Sequence, residues 1–195
     1  MAMRFGEFDN DYMDPAFASV EYPIITEEEL EANLSDWRWR INNLYYITDN
    51  KANKILFKLN EQQLDFFEGM HYRNIILKAR QLGFTTFMMV FMLDACLFND
   101  NTKCAVIAHT LPDANRLFRE KIKFAYESLP DSIKTMMPAK ISSAGEYVFK
   151  NKSSVSVGTS FRGGTLTYLH ISEFGKICAR NPDKAKEIVT GAFEA

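Results

Sequence analysis

A chain of 195 residues with 47% hydrophobic content and a formal net charge of −2 is long enough for one domain with a substantial core and a tight fit for two. No apolar run approaches the ~20 residues needed to cross a bilayer, and the opening MAMRFGEFDNDYMD lacks the basic-then-apolar order of a secretory leader, so the expectation is a cytosolic protein with no membrane span. Cys96, Cys104 and Cys178 form an odd set at spacings that match no zinc pattern, and each is read as a small core residue in a reducing compartment.

The small net charge hides a division. Residues 1 to 36 carry ten acids against Arg4 alone, a charge of −9, while the remaining 15 acids and 22 Lys+Arg leave +7. A basic body suits contact with a polyanion, since phosphate neutralisation supplies most non-specific nucleic-acid affinity; ordinary solvated faces explain the same numbers.

Along the chain, the first ~25 residues show no periodicity and read as an arm. Thr26 and Glu29 form a capping-box pattern that predicts a short helix from Glu27 toward Leu34. Tyr45-Tyr46-Ile47 and Ile55-Leu56-Phe57 flank a polar stretch with Asp49 and Asn50 and read as a β-hairpin. Asn60 to Met70 is an amphipathic helix. Asn74-Ile75-Ile76-Leu77 predicts a strand, and the continuously apolar Thr85 to Phe98 a buried helix. Ala105 to Ala108 gives the next strand, and Pro112 suits the first turn of a helix reaching Leu129. Tyr147-Val148-Phe149 and Val155-Ser156-Val157 suggest a second hairpin, Thr167 to Ile171 another strand, and Asn181-Pro182 the opening of a last helix. Strands alternating with helices predict an α/β domain with a largely parallel central sheet flanked by helices, its ligand at the carboxyl ends of the strands.

The segment richest in chemistry is Lys78-Ala79-Arg80-Gln81-Leu82-Gly83-Phe84-Thr85-Thr86, where the predicted strand turns into the buried helix. A phosphate-binding loop needs inward-pointing backbone N–H groups at a helix N-terminus, a lysine for the outer phosphates and a hydroxyl for Mg2+. Against G-x-x-x-x-G-K-[ST], Gly83 and Thr85 match; Ala79 stands at the first Gly place and Phe84 at the lysine place. Four fixed positions with two failures leave an ordinary strand-to-helix turn as the other reading.

This string resembles the loop of the large terminase subunits of tailed double-stranded DNA bacteriophages, in which A/S-R-Q-L-G is followed two places on by Ser or Thr and the lysine is in some members supplied from the loop's start. Lys78 stands at that start, and Arg80 matches a loop arginine kept near the phosphates. Three further segments follow the family's order. Leu59-Asn60-Glu61-Gln62-Gln63 is similar to its adenine-recognition segment, with Gln63 on the base; a solvated helix glutamine is the plain alternative. Val106-Ile107-Ala108-His109 and the helix ending Ser128-Leu129-Pro130-Asp131 resemble its second strand and helix; His109 either faces nucleotide or DNA or is a hydrogen-bonded structural residue. Thr159-Ser160-Phe161-Arg162-Gly163-Gly164 then leads to Leu169-His170-Ile171-Ser172-Glu173, where Glu173 matches the glutamate that polarises the attacking water, and Ser172 stands where an Asp usually serves Mg2+. Arg162, eleven residues before Glu173, matches an arginine that reaches the γ-phosphate of a neighbouring subunit.

Residues 1–36 are read from charge and capping as an acidic N-terminal arm and short helix; the resemblance covers about residues 38 to 193 and implies over 37–195 a P-loop ATPase domain of the ASCE type. The implied activity is Mg2+-dependent ATP hydrolysis that drives double-stranded DNA into a procapsid. The implied catalytic residues are Glu173, Arg162 and Lys78. Gln63 and residues 78 to 86 would hold nucleotide; Thr85 and Ser172 would serve the metal. Implied partners are duplex DNA, the portal protein of the procapsid and the small terminase subunit, in a homo-oligomeric ring when full length and as a monomer for this fragment. The implied location is the host bacterial cytoplasm, transiently on the procapsid. The family's coupling motif and RNase H-like nuclease domain would follow Ala195, so the chain is read as a fragment or a truncated prophage gene with weak activity on its own. Two alternatives stand beside this: a truncated terminase fragment that binds nucleotide without turnover, and another P-loop DNA motor such as a helicase.

Overall fold

The computed structural model describes residues 27–77, 82–161 and 164–192. By internal contact the chain divides into a unit ending at Arg40 and a larger one from Ile41 onward. In the first, α1 spans Glu27–Ser35, where the sequence places its short acidic helix, and Asp36 receives the N–H of Arg38 at the start of the next helix. That helix, α2 (Trp37–Asn43), carries the chain to Ile41.

The larger unit opens with the predicted hairpin, β1 (Tyr46–Thr48) against β2 (Lys54–Leu56), antiparallel. Its tip is tied by Asp49, whose carboxylate accepts the N–H groups of Lys51 and Asn53. The amphipathic helix α3 runs over Glu61–Glu68. Helix α4 (Phe84–Phe98) is buried from Phe87 through Leu97, a run apolar on every side but for Asp94, which is why it shows no amphipathic period in the sequence.

A five-stranded sheet in the order β4-β5-β6-β3-β7 organises the unit. Its strands are β3 (Lys103–Ile107), β4 (Ala139–Ser142), β5 (Glu146–Phe149), β6 (Ser154–Gly158) and β7 (Tyr168–Ile171). β3 is buried from Cys104 to Ile107, as a central strand covered on both faces must be, and it pairs in parallel with β6 on one side and β7 on the other. The β4-β5 and β5-β6 pairings are antiparallel, so the sheet is mixed and not largely parallel. The reason is local: Lys150 to Ser153 is too short for a crossover, and a short link between paired strands forces them antiparallel.

Helices lie on both faces. On one, Cys104 of β3 donates its thiol to the Met92 carbonyl of α4, and Tyr168 of β7 meets Phe91 edge-on at 5.2 Å. On the other, Ile107, Leu169 and Ile171 pack with Ile177 of α8 (Phe174–Arg180) and with Ala185 and Ile188 of α9 (Pro182–Ala192). Between β3 and β4 the chain forms α5 (Leu111–Leu117), a π-helical segment (Phe118–Lys123), α6 (Phe124–Glu127) and α7 (Asp131–Met136). The sequence reads the first three as one regular helix. The widened turn, where the Phe124 N–H donates to the Arg119 carbonyl five residues back, keeps Phe118 and Ile122 buried.

Two further expectations are corrected. Asn74 to Leu77 forms no strand: the backbone there is irregular and the side chains of Ile75 and Leu77 are almost wholly exposed. Cys178 lies on the surface, in contrast to buried Cys96 and Cys104. β4, α7 and α8 are elements that the sequence reading does not separate. Among the described residues no helix is long and apolar enough to cross a membrane.

Candidate functional site

β6 and β7 lie on opposite sides of β3, and the chain passes from one to the other across the sheet. In open α/β sheets ligands favour the carboxyl ends of the strands at such a reversal. The residues that emerge there are Gly158 to Ser160, His109-Thr110 and Ser172-Glu173. Pairing extends one residue past the strands, with the Ala108 N–H on the Gly158 carbonyl and the Ser172 N–H on the Ile107 carbonyl, each 2.8 Å. Ser172 is thereby buried and fixed beside β3.

Glu173 departs from ordinary backbone geometry. It is left-handed, at φ 55° and ψ 42°, a conformation that costs a residue with a β-carbon roughly 1 kcal/mol or more. The turn is held because its carbonyl accepts the N–H groups of Lys176 and Ile177 at 2.9 and 3.2 Å, opening α8. Its carboxylate meets the Lys176 ammonium at 3.1 Å.

Just after β3, Thr110 caps α5. Its hydroxyl receives the Asp113 N–H and donates to the Asp113 carboxylate at 2.8 Å. That hydroxyl, first, and then the positive fields of Arg116, Lys176 and His109 hold the Asp113 carboxyl below its usual range. Beside it, His109 has its Nδ1 buried with no hydrogen-bond partner among the described residues, so the fully bonded structural histidine is not what forms at this atom.

α4 brings its N-terminus to the same end. Its last turns lie at the strand starts, where Cys96 donates its thiol to the Ser154 carbonyl at 3.2 Å. From Cys96 back to Phe84 the helix climbs ~18 Å, whereas β3 rises only ~13 Å. The first turn of α4 therefore stands at or above the level of the strands' carboxyl ends. Its N-cap is Gly83, at φ 70°, with no side chain to cap the first amides, and Thr85 and Thr86 in that turn are half-buried. An uncapped N-terminus of a long helix presents N–H groups and the positive end of the helix dipole.

Phe84 is buried in that turn and meets Phe66 of α3 edge-on, ring centroids 5.7 Å apart. An aromatic pocket accounts for a phenylalanine where a lysine is expected. Gln63 is also buried. Its carbonyl accepts the Asn60 N–H, completing a capping box on α3, and its amide donates to the Leu82 carbonyl at 3.0 Å. Asn60 donates to the same carbonyl at 3.3 Å. Gln63 thus clamps the backbone that enters α4, and the N-x-x-Q spacing of Asn60 and Gln63 was the available signal for it.

Of the residues singled out from sequence, Gln63, Leu82, Gly83, Phe84, Thr85 and Thr86 gather at the start of α4. Ser172 and Glu173 sit at the end of β7. Lys78, Ala79, Arg80, Gln81 and Arg162 lie outside the described residues. Lys176 and Asp113 carry no motif and enter only through the fold. Among the described residues no group of three or more His, Cys, Asp or Glu side chains gathers as a metal site. No protein-family model matches the chain, and no curated protein matches it.

Proposed function

We propose that this chain is a P-loop ATPase domain of a DNA-packaging motor, of the kind found in phage large terminase subunits. The observation that carries the reading is the uncapped, glycine-led N-terminus of α4 at the carboxyl ends of β3 and β7, the end at which Glu173 is held in a left-handed turn. A nucleoside triphosphate fits the first feature, because amides and the helix dipole favour phosphate there. A water-polarising carboxylate fits the second.

In this reading Lys78, Arg80 and the amides of residues 79 to 86 hold the phosphates, and Gln63 supports the loop from behind through the Leu82 carbonyl. Thr85 and Ser172 would hold Mg2+, whose charge neutralises phosphate oxygens when bound. Glu173 orients the attacking water and draws its proton. Arg162 acts on a neighbouring subunit's phosphate in a ring. The partners are duplex DNA, the procapsid portal and a small terminase subunit, met in the bacterial cytoplasm. A second reading, nucleotide binding without turnover, is favoured by buried Phe84 and by Ser172, which brings no negative charge to the metal.

ATP titration with Mg2+ present, followed by phosphate release, tests both. Binding with slow release that Glu173→Gln abolishes supports the ATPase; binding without release supports the second reading; absence of binding sinks both. Lys78→Ala is expected to weaken ATP strongly by removing a charge-assisted contact, and unchanged affinity would move the cation's role elsewhere.

A further inference from the structure

The amino ends of the strands, opposite to the end that holds Glu173, carry a row of cations. Lys140 stands at the bulge in β4, and the Lys150 N–H donates to the Pro138 carbonyl just before that strand. Lys150 and Lys152 lie on the turn from β5 to β6, and Lys103 opens β3 in register with Ser154 of β6. The strands follow one another as β4-β5-β6-β3, so the row is ~14 Å long at the usual strand spacing. All four lysines are exposed, and Asp100, on the link from α4 to β3, offsets one of their charges. None of the four forms an ion pair among the described residues, whereas Arg116, Arg119, Lys123 and Lys134 on the crossover helices each meet an acid close by in the chain.

The backbone beneath the row is fastened to α4. The Asn151 side-chain amide donates to the carbonyls of Cys96 and Asn99 at 2.9 and 3.0 Å, the Ser153 hydroxyl donates to the Asn99 carbonyl at 2.6 Å, and the Asn101 N–H donates to the Asn151 carbonyl at 3.1 Å. Carbonyls that end α4 are thus already served, and the lysines are not needed as its cap. Lys152 is held left-handed at φ 66°, where Gly or Asn would cost less, so the turn itself does not call for a lysine.

We propose that this row binds the phosphate backbone of a nucleic acid without regard to sequence. Ammonium groups are point charges suited to phosphate contact, and the amide of Asn151, which could read a base edge, is committed to α4. Along ~14 Å of duplex each strand presents about four phosphates, as many as the row has lysines. A fastened backbone lowers the cost of ordering the surface on binding. The row lies at the other end of the sheet from α4's N-terminus, so it stands whether or not the chain hydrolyses ATP; it gives the DNA of the motor reading a place on the chain.

The test is the fluorescence anisotropy of a short labelled duplex of arbitrary sequence, without nucleotide, from about 50 to about 200 mM salt. Wild-type affinity is expected to fall ~10²-fold over that range, as the release of about four counterions requires. Each of Lys103→Gln, Lys140→Gln, Lys150→Gln and Lys152→Gln should lower the slope of log affinity against log salt by ~0.9. The fourfold Gln variant should lose most of the affinity, and the fourfold Arg variant should keep it. ATP affinity and melting temperature are expected to agree across the set. No binding by wild type, or affinity and slope unchanged in the fourfold Gln variant, overturns the proposal. Polyglutamate that competes as well as duplex at equal charge would make this a surface for acidic polypeptides and overturn it too. A lower melting temperature with unchanged duplex affinity would assign the lysines to the stability of α4 instead. Failure here leaves the ATPase reading intact, and a chain that binds no ATP leaves this proposal intact.

Discussion

The amide of Gln63 donates to the carbonyl of Leu82 at 3.0 Å, nineteen residues further along the chain. A β-carbon placed on the neighbouring Gly83 would lie 2.7 Å from that same amide nitrogen. The entry to α4 is therefore built from three parts that depend on one another: a buried glutamine, a carbonyl it holds and a glycine that makes room for it.

Replacing Gln63 with Ala is expected to destabilise the chain by ~1–2 kcal/mol, since the half-buried Leu82 carbonyl and the Asn60 N–H each lose a partner. Gly83→Ala is expected to cost ~1–3 kcal/mol through its left-handed backbone. Urea unfolding of both singles and the double separates the two effects. Removing Gln63 relieves the crowding but not the positive φ, so the double variant should be less unstable than the sum of the singles by a measurable coupling. Strict additivity would mean that the two residues do not meet.

Glu173 offers a case in which stability and activity should move in opposite directions. Glu173→Gly removes the left-handed penalty and is expected to leave stability equal or up to ~1 kcal/mol higher, while removing the carboxylate assigned to the water. Glu173→Gln keeps the strain and should lower phosphate release by ~10²-fold or more with ATP still bound. Thermal melting and single-turnover phosphate release read the two quantities. A destabilised glycine variant would show that the turn is not strained.

Tyr45 and Asp94 form a buried pair, the phenol donating to the carboxylate at 2.7 Å. Tyr45→Phe keeps the packing and deletes that donor to a buried acid. The expected loss is ~1–3 kcal/mol, or several degrees in melting temperature for a chain of this size. A loss below ~0.5 kcal/mol would show that the bond contributes little net stability.

Burial pushes the Tyr147 phenol up to about 12 from its ordinary 10. The ring is enclosed by Phe118, Tyr126 and Phe149 at 5.1 to 5.9 Å, and this burial outweighs a Ser142 hydrogen bond that favours the phenolate. Because the folded value is the higher one, this contribution to stability is complete below pH 10 and is lost as pH rises toward 12. Tyr147→Phe is expected to flatten the fall of the urea midpoint over that interval. An unchanged alkaline slope would assign the fall to other groups.

The sequence by itself determined the elements whose signal is local. A continuous apolar run marked α4, and Ala105 to Ile107 read as a buried strand for the same reason. Short alternating runs around polar turns marked both hairpins, and Asn181-Pro182 marked the start of α9. These follow from side-chain period and turn chemistry within about ten residues. The run Asn74 to Leu77 shows the limit of that logic, because three apolar residues in a row make a strand only where a sheet edge receives them. Only the tertiary structure decided what depends on distant partners. It set Phe84 against Phe66, turned Gln63 back onto Leu82, joined Tyr45 to Asp94 and brought Lys176 between Glu173 and the field of Asp113. It also made β6 serve both an antiparallel hairpin and a parallel pairing with β3. The physical reason is the same throughout: a buried polar group or aromatic face must find its partner in space, and nothing in the local period of a chain names a residue nineteen or forty-nine positions away.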